Sequence, residues 1–580
     1  MTDEQTPVLR PIRERSKSGQ PVHPVDEADA RSDEAPIFVD GVPRHAPSLV
    51  ARYTSAGYWG EQTISDRLRS AAADRSQHTA IVDGSRRLSY AEFAAAVSAV
   101  ANAFRSFGVR RGDAVAVQLP NWWEQLVADF AIIEIGAVLV PVNARVRGEL
   151  EYMLEYTHCK VLVIPDEYHG FSYVEYIDSI RPRLPDLRSV VVARGPANKE
   201  HSSFADLASA DRKLDHHPAL EAMSANDPWQ IMFTSGTTSA PKGVVRTHNN
   251  TLFTLDLLIN EYQILQGDGS DVALAVLPVA FVYAQYLCAL GALLTGGTLV
   301  LQENFDAADL VDLVEKERVT LIGVVPSMVP VLQHVPNLAA RDLSSLRIVA
   351  PAGEAVTRER KVELSEIFRC DVRECYGLAE VTMPLVQPAE ATLEQRLSTT
   401  GRPNPATDLA IIDDDGGVVN GEGIGELLVK GPTLFSGYYR NPEATTNAID
   451  GNGWFHTGDL VKRGQDGFYA ISGRKKDLIK RGGASILPQD IEDALEGHPA
   501  VKAVAAFGLP DDRRGEIACA CVVLNLGAST TVPDLLAYLR DRIATFKVPE
   551  RIEFVDSLPL SANGKVLKAE LAARLSSGAD

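Results

Sequence analysis

FTSGTTSAPKGVV, Phe233 to Val245, is the stretch on which the reading of this chain turns. An apolar approach gives way to small and hydroxyl-bearing residues around a single cation, Lys242, and then returns to valine. Small residues such as Gly236 let backbone N–H groups come close to phosphate oxygens. The hydroxyls of Thr234, Ser235, Thr237 and Thr238 can donate to the same oxygens, and Lys242 adds a positive charge on a long stem. The order is not that of a P-loop nucleoside triphosphatase, because Gly-x-x-x-x-Gly-Lys-Ser/Thr is missing and Gly243 follows the lysine. A plain polar loop is the alternative, so the surrounding chain has to decide.

Outward from this loop the pattern is α/β. Apolar runs such as DAVAVQL, KVLVIP, SVVVA, GTLVL, VTLIGVVP and LRIVAPAG read as buried strands. Amphipathic segments such as LSYAEFAAAVSAVANAFRSFG read as helices between them. That alternation predicts largely parallel sheets covered on both faces. After about Gly416 the strands become short and glycine-bounded, as in GELLVKGP and GFYAISG, which predicts a mostly antiparallel β-subdomain. From Lys476 onward, one helix (LPQDIEDALEGHP) and two strands (KAVAAFGLP and CACVVLNL) predict a compact α+β unit. We therefore expect a mobile tail over 1–47, rich in Pro, Asp, Glu, Arg and Ser. A large domain of mixed, largely parallel sheets over 48–473 and a small mobile domain over 474–580 follow it.

Composition narrows the function. The 580 residues carry a formal charge of -20 and no long basic run, which argues against nucleic acid as a partner. Six scattered cysteines without a CxxC pair fit a reducing cytoplasm. Cys519 and Cys521 alternate as in a buried strand. Asp3 and Glu4, with no apolar run after them, predict no secretory leader. Residues 272–302 carry no charge and are long enough to cross a bilayer. Pro278, Gly291, Gly296 and Gly297 interrupt them, so strand, loop, buried helix and strand are expected, and no integral membrane segment.

Four further stretches follow in order: YGLAE (Tyr376–Glu380), WFHTGDL (Trp454–Leu460), GRKKDLIKRGG (Gly473–Gly483) and LPLSANGKVLK (Leu558–Lys568). With the loop above they resemble the motifs of the adenylate-forming superfamily, which includes acyl- and aryl-CoA synthetases, peptide-synthetase adenylation domains and beetle luciferases. The resemblance runs from about Thr63 to Leu575. It implies a two-step reaction: a carboxylic acid and ATP give an acyl-adenylate and pyrophosphate, and a thiol then displaces AMP. It also implies roles. The 234–242 loop and Lys242 would grip the β- and γ-phosphates, and Glu380 would hold Mg2+ as a hard carboxylate for a hard cation. Lys565 would bridge the α-phosphate and the acid. Asp459 would take the ribose hydroxyls, with Arg474 near the ribose or α-phosphate. Tyr376 and Gly377 would lie on one face of adenine and Gly353 and Glu354 on the other, with Glu374 as acceptor for the adenine amine. Lys476 matches the interdomain hinge, and Gly482 and Gly483 would line the path of coenzyme A. Ala379 stands where many relatives have threonine; relatives that activate aryl acids often carry alanine there too.

LPVAFVYAQY, Leu277 to Tyr286, resembles the acyl-pocket motif. Phe281 occupies the place of a gating aromatic, and Val282 stands where hydroxybenzoate-activating relatives have asparagine. Both point to a compact apolar acid (aryl, alicyclic or medium-chain). AGYWGEQTISDRL, LPNWWEQ and YHGFSYVEY look like the branch of cyclohexanecarboxylate-CoA ligases and aryl-acid adenylating enzymes. Trp122 and Trp123 read by default as core. Free coenzyme A is the expected thiol. The alternative is an aryl-acid adenylating enzyme that loads the phosphopantetheine of a carrier protein. A nucleotide-binding protein without catalysis would predict a broken Lys565 or Glu380, and both are present. Monomer and homodimer both remain open.

Overall fold

The computed structural model describes residues 36–195, 200–209, 223–234, 240–353, 356–482, 484–511, 513–559 and 566–576. Two large sheets form the N-terminal body. One has eight strands in the order Ser202–Ser203, Ser189–Ala193, Val161–Pro165, Ala114–Val117, Val138–Pro141, Pro228–Thr234, Lys242–Thr247 and Gly437–Tyr438. Its first six strands are parallel and the last two antiparallel. The other has seven strands, parallel except for the hairpin of Thr79–Asp83 with Arg86–Ser89. Strands such as Ala114–Val117, Val161–Pro165 and Leu321–Val324 are buried along their whole length. That is the expected consequence of helices on both faces. The helix Tyr90–Ser106 is fixed at its start by a capping box between Ser89 and Glu92.

The uncharged stretch resolves as expected: strand Val272–Ala275, helical residues Val282–Leu293 with a π-helical middle over Gln285–Leu290, then strand Thr298–Leu301. Among the described residues no helix is long and apolar enough to cross a membrane. A four-stranded antiparallel sheet of Asp408–Ile412, Gly423–Lys430, Phe455–Arg463 and Tyr469–Arg474 makes the β-subdomain. The C-terminal unit sets the long pair Val501–Asp511 and Gly515–Leu524 against the helix Pro488–Glu496. Cys519 and Cys521 lie buried on its inner strand.

Two expectations about boundaries need correction. The stretch read as a tail over 1–47 contains ordered structure: Ile37–Val39 pairs with Val42–Arg44 across Asp40-Gly41, both at positive φ. This is the Asp-Gly two-residue hairpin turn, and its signal was present in VDGV. Arg440 N–H donates to Gly41 O at 2.7 Å, which ties the hairpin to the body. The remaining tail residues, 1–35, lie outside the described residues. Arg474, placed at the start of the C-terminal domain, ends a strand of the β-subdomain opposite Asp459, so the junction falls after it.

Candidate active site

The described ends of the stretch that opened the reading pair as antiparallel strands, Pro228–Thr234 with Lys242–Thr247, and form a hairpin pair. Thr234 and Lys242 are cross-strand partners at its mouth, with Thr234 Oγ1 donating to Lys242 O at 3.5 Å. Gly243 is required just inside, since a Cβ there would stand 2.7 Å from Ile231. Ser235, Gly236, Thr237 and Thr238 lie outside the described residues, as do Glu354, Gly483 and Lys565.

YGLAE occupies the turn between the short strands Cys375–Tyr376 and Leu385–Val386. Gly377 belongs there because a Cβ would meet Met383 N at 2.7 Å, backbone that cannot swing away. The turn sends its two ends to different neighbours. Tyr438 donates its hydroxyl to Glu380 Oε1 at 2.8 Å, and Lys242 Nζ stands 5.0 Å from the centre of the Tyr438 ring. Burial pushes the Glu380 carboxyl above its ordinary pKa, against the Tyr438 hydrogen bond and the charges of Arg474 and Lys242. A hard cation here would favour the ionised form, so the donor set fits Mg2+.

At the other end, Tyr376 donates to Asp459 Oδ2 at 2.6 Å, and Arg474 Nε reaches Asp459 Oδ1 at 2.8 Å. Asp459 reaches this point because Thr457-Gly458-Asp459 bulge opposite Leu427. Gly458 sits at φ 69°, its N–H donating to Glu426 Oε1 at 3.2 Å, while Asp459 N–H donates to Thr457 Oγ1. Glu426 also pairs with Lys475 at 3.0 Å. Lys476 lies exposed in the single turn Lys475–Asp477 that follows Arg474. Gly482 follows at φ 56°, its N–H donating to Arg514 O.

Glu374 is placed differently. Its Oε2 meets Lys361 Nζ at 2.5 Å, and the two side chains are only 6% and 4% exposed. This is a closed ion pair and not an open acceptor for an amine. Gly353 is exposed at φ 90°. Phe281 and Val282 are half-buried at the start of the helical segment, and Tyr283 beside them donates to Ala350 O. Asn121 shapes that turn, donating to Leu277 O and accepting from Val279 N–H. Trp122 and Trp123 are core residues, with Arg194 and Arg86 over their rings at 4.0 Å. The sequence reading missed Tyr438, Glu426, Lys361 and Arg246. Only Arg246 left a trace, as a charge in the apolar run KGVVRT.

Residues 68–439 match the AMP-binding enzyme family, and residues 490–565 match the AMP-binding enzyme C-terminal domain. The chain belongs to the AMP-binding enzyme family. The 2,3-dihydroxybenzoate-AMP ligase of Bacillus subtilis (strain 168) is 31% identical over 528 residues, covering 90% of this chain and 95% of the relative. A feruloyl-CoA synthase of Amycolatopsis sp is 34% identical over 497 residues, 86% of this chain and 96% of the relative. The crystal structure of the anthranilate CoA ligase AuaEII with anthranoyl-AMP superposes with a TM-score of 0.82 at 25% identity. It covers 89% of this chain and 98% of that one. This AMP-binding enzyme is thus similar along nearly its whole length to ligases of aryl acids, and its fold is that of the adenylate-forming superfamily.

Proposed function

We propose that this AMP-binding enzyme is an ATP-dependent acid–CoA ligase acting on a compact apolar carboxylic acid. In the first step an acid oxygen attacks the α-phosphorus of ATP, the bond to the bridging oxygen breaks, and pyrophosphate leaves. In the second the thiol sulfur of coenzyme A attacks the acyl carbonyl and AMP leaves, giving the thioester. One observation carries the reading: a single five-residue turn, YGLAE, sends Tyr376 to Asp459 and Arg474 at one end and Glu380 to Tyr438 beside Lys242 at the other. One short segment thereby touches both an acceptor for sugar hydroxyls, Asp459, and the surroundings of a cation for phosphates, Lys242.

The step from two anions to a mixed anhydride is limited by charge and alignment. Lys242 and the hairpin hydroxyls meet the departing pyrophosphate, and Glu380 would hold Mg2+, which supplies charge neutralisation there. Asp459 accepts from the ribose hydroxyls, and Arg474 supports it from the adjacent strand. Tyr376, Gly377, Gly353 and Glu354 flank the base. Lys565 supplies the cation shared between the α-phosphate and the acid. Lys476 serves the turn about which the C-terminal domain moves, and Gly482 and Gly483 flank the pantetheine path. Phe281 and Val282 present no polar atom to the acid, which favours an unsubstituted ring or aliphatic group.

The likeness to a 2,3-dihydroxybenzoate-AMP ligase supports a second reading, in which the acceptor is the phosphopantetheine of a carrier protein. ATP–pyrophosphate exchange over a panel of carboxylic acids, followed by coenzyme A with the best acid, separates the two. Exchange with benzoate-like or alicyclic acids and release of a CoA thioester is the expected result. Exchange without thioester supports the carrier-loading reading, and no exchange with any acid removes both.

A further inference from the structure

Arg246 is 1% exposed, among the largest fully buried side chains of the protein. Taking a guanidinium out of water is expensive unless its donors are satisfied, and apolar side chains of similar volume are often as good for stability. Among the described residues its hydrogen-bond partners are neutral oxygens. Nη1 donates to Thr433 O at 2.8 Å and to Glu380 O at 3.4 Å, Nη2 donates to Thr382 Oγ1 at 2.9 Å, and Nε donates to Tyr286 Oη at 3.3 Å.

These acceptors belong to separate parts of the site. Glu380 and Thr382 lie on the YGLAE turn, Thr433 lies just before the segment that carries Tyr438, and Tyr286 lies in the π-helical stretch that continues from Phe281 and Val282. The cation itself stands on the phosphate hairpin. Strand alternation puts Lys242 and Arg246 on one face, about 13 Å apart along the strand. The backbone carbonyl of Glu380 is therefore held by Arg246 and by Phe435 N–H, while its carboxylate is held by Tyr438.

We propose that Arg246 is a positioning residue for adenylation, its rigid fork setting the Glu380 turn and the acyl-pocket helix against the phosphate hairpin. This rests on the adenylation reading above. The test measures ATP–pyrophosphate exchange per folded molecule in Arg246→Lys, Arg246→Met and Thr382→Val, with thermal unfolding and calorimetric ATP binding on each. Lysine keeps the charge but loses the fork. We expect kcat to fall about 10-fold in Arg246→Lys and about 100-fold in Arg246→Met, on the scale of an angstrom of misplacement, with Kd and KM for ATP within about threefold of wild type. Thr382→Val, which leaves the cation in place, gives a smaller loss of kcat in the same direction. Activity that falls only as the folded fraction falls, or wild-type kcat in both Arg246→Lys and Thr382→Val, overturns the inference. Those two variants decide alone if Arg246→Met fails to fold. Wild-type protein that exchanges with no acid overturns the adenylation reading and this inference together.

Discussion

Two carboxylates flank Tyr376, and the fold treats them in opposite ways. Glu374, two residues before it, is locked to Lys361 with both side chains almost wholly buried. Asp459, on a strand of the β-subdomain, is just as buried itself, but its partner Arg474 is 41% exposed and its second oxygen is shared with Tyr376. A closed pair has no solvent-facing partner to yield and acts as a brace. A pair with one half open to solvent can rearrange around incoming hydroxyls at low cost. Burial of the carboxylate is alike in the two pairs; the exposure of its partner is what differs.

The strongest test of this contrast is Glu374→Ala, which strands a buried lysine. It should lower unfolding free energy by about 3–5 kcal/mol in denaturant titrations. ATP affinity of the folded fraction should stay near wild type, and a tenfold loss there would break the comparison by making Glu374 a ligand contact.

Next comes His248, another closed group. Its Nδ1 accepts from Ile64 N–H, and burial lowers its pKa to about 4. The unfolded chain takes up a proton near pH 6.5 and the folded one does not. Stability present above pH 6.5 should therefore fall as pH drops toward 4, by up to about 3 kcal/mol from this residue. His248→Gln should flatten that part of the curve; an unchanged slope in pH-dependent denaturation would remove the assignment.

Asp459→Asn should behave as the open member of the pair. We expect about 2 kcal/mol lost from kcat/KM for ATP, roughly 30-fold, with thermal unfolding little changed. A large stability loss with normal kinetics would place Asp459 with Glu374 instead.

The smallest expected effect is Phe281→Ala, a change in which acid is preferred of about 1 kcal/mol, roughly fivefold, with KM for ATP unaltered. Unchanged relative rates across the acid panel would remove Phe281 from the pocket.

The motifs were legible because they are contiguous: FTSGTTSAPKGVV, YGLAE and HTGD each carry their chemistry within a few residues. The alternation of apolar strands and amphipathic helices was legible for the same reason, since burial on both faces writes itself along each strand. VDGV was overlooked because the acidic, proline-rich stretch around it outweighed a two-residue turn signal. Tyr438 could not be read, since nothing at that position announces a bond to a carboxylate 58 residues earlier. Lys361 and Glu374 are each ordinary charges until the fold closes them against one another.

The sequence by itself therefore determined the α/β class, the order of the domains and membership of the adenylate-forming ligases, because local pattern and contiguous motifs suffice for those. Only the tertiary structure decided which polar groups are closed against one another and which keep an exposed partner. Glu374 became a closed pair, Asp459 an acceptor shared between Tyr376 and Arg474, and Arg246 the centre of four converging oxygens. The reason is that desolvation and hydrogen-bond geometry depend on what packs around a group from distant parts of the chain, and no run of neighbouring residues records it.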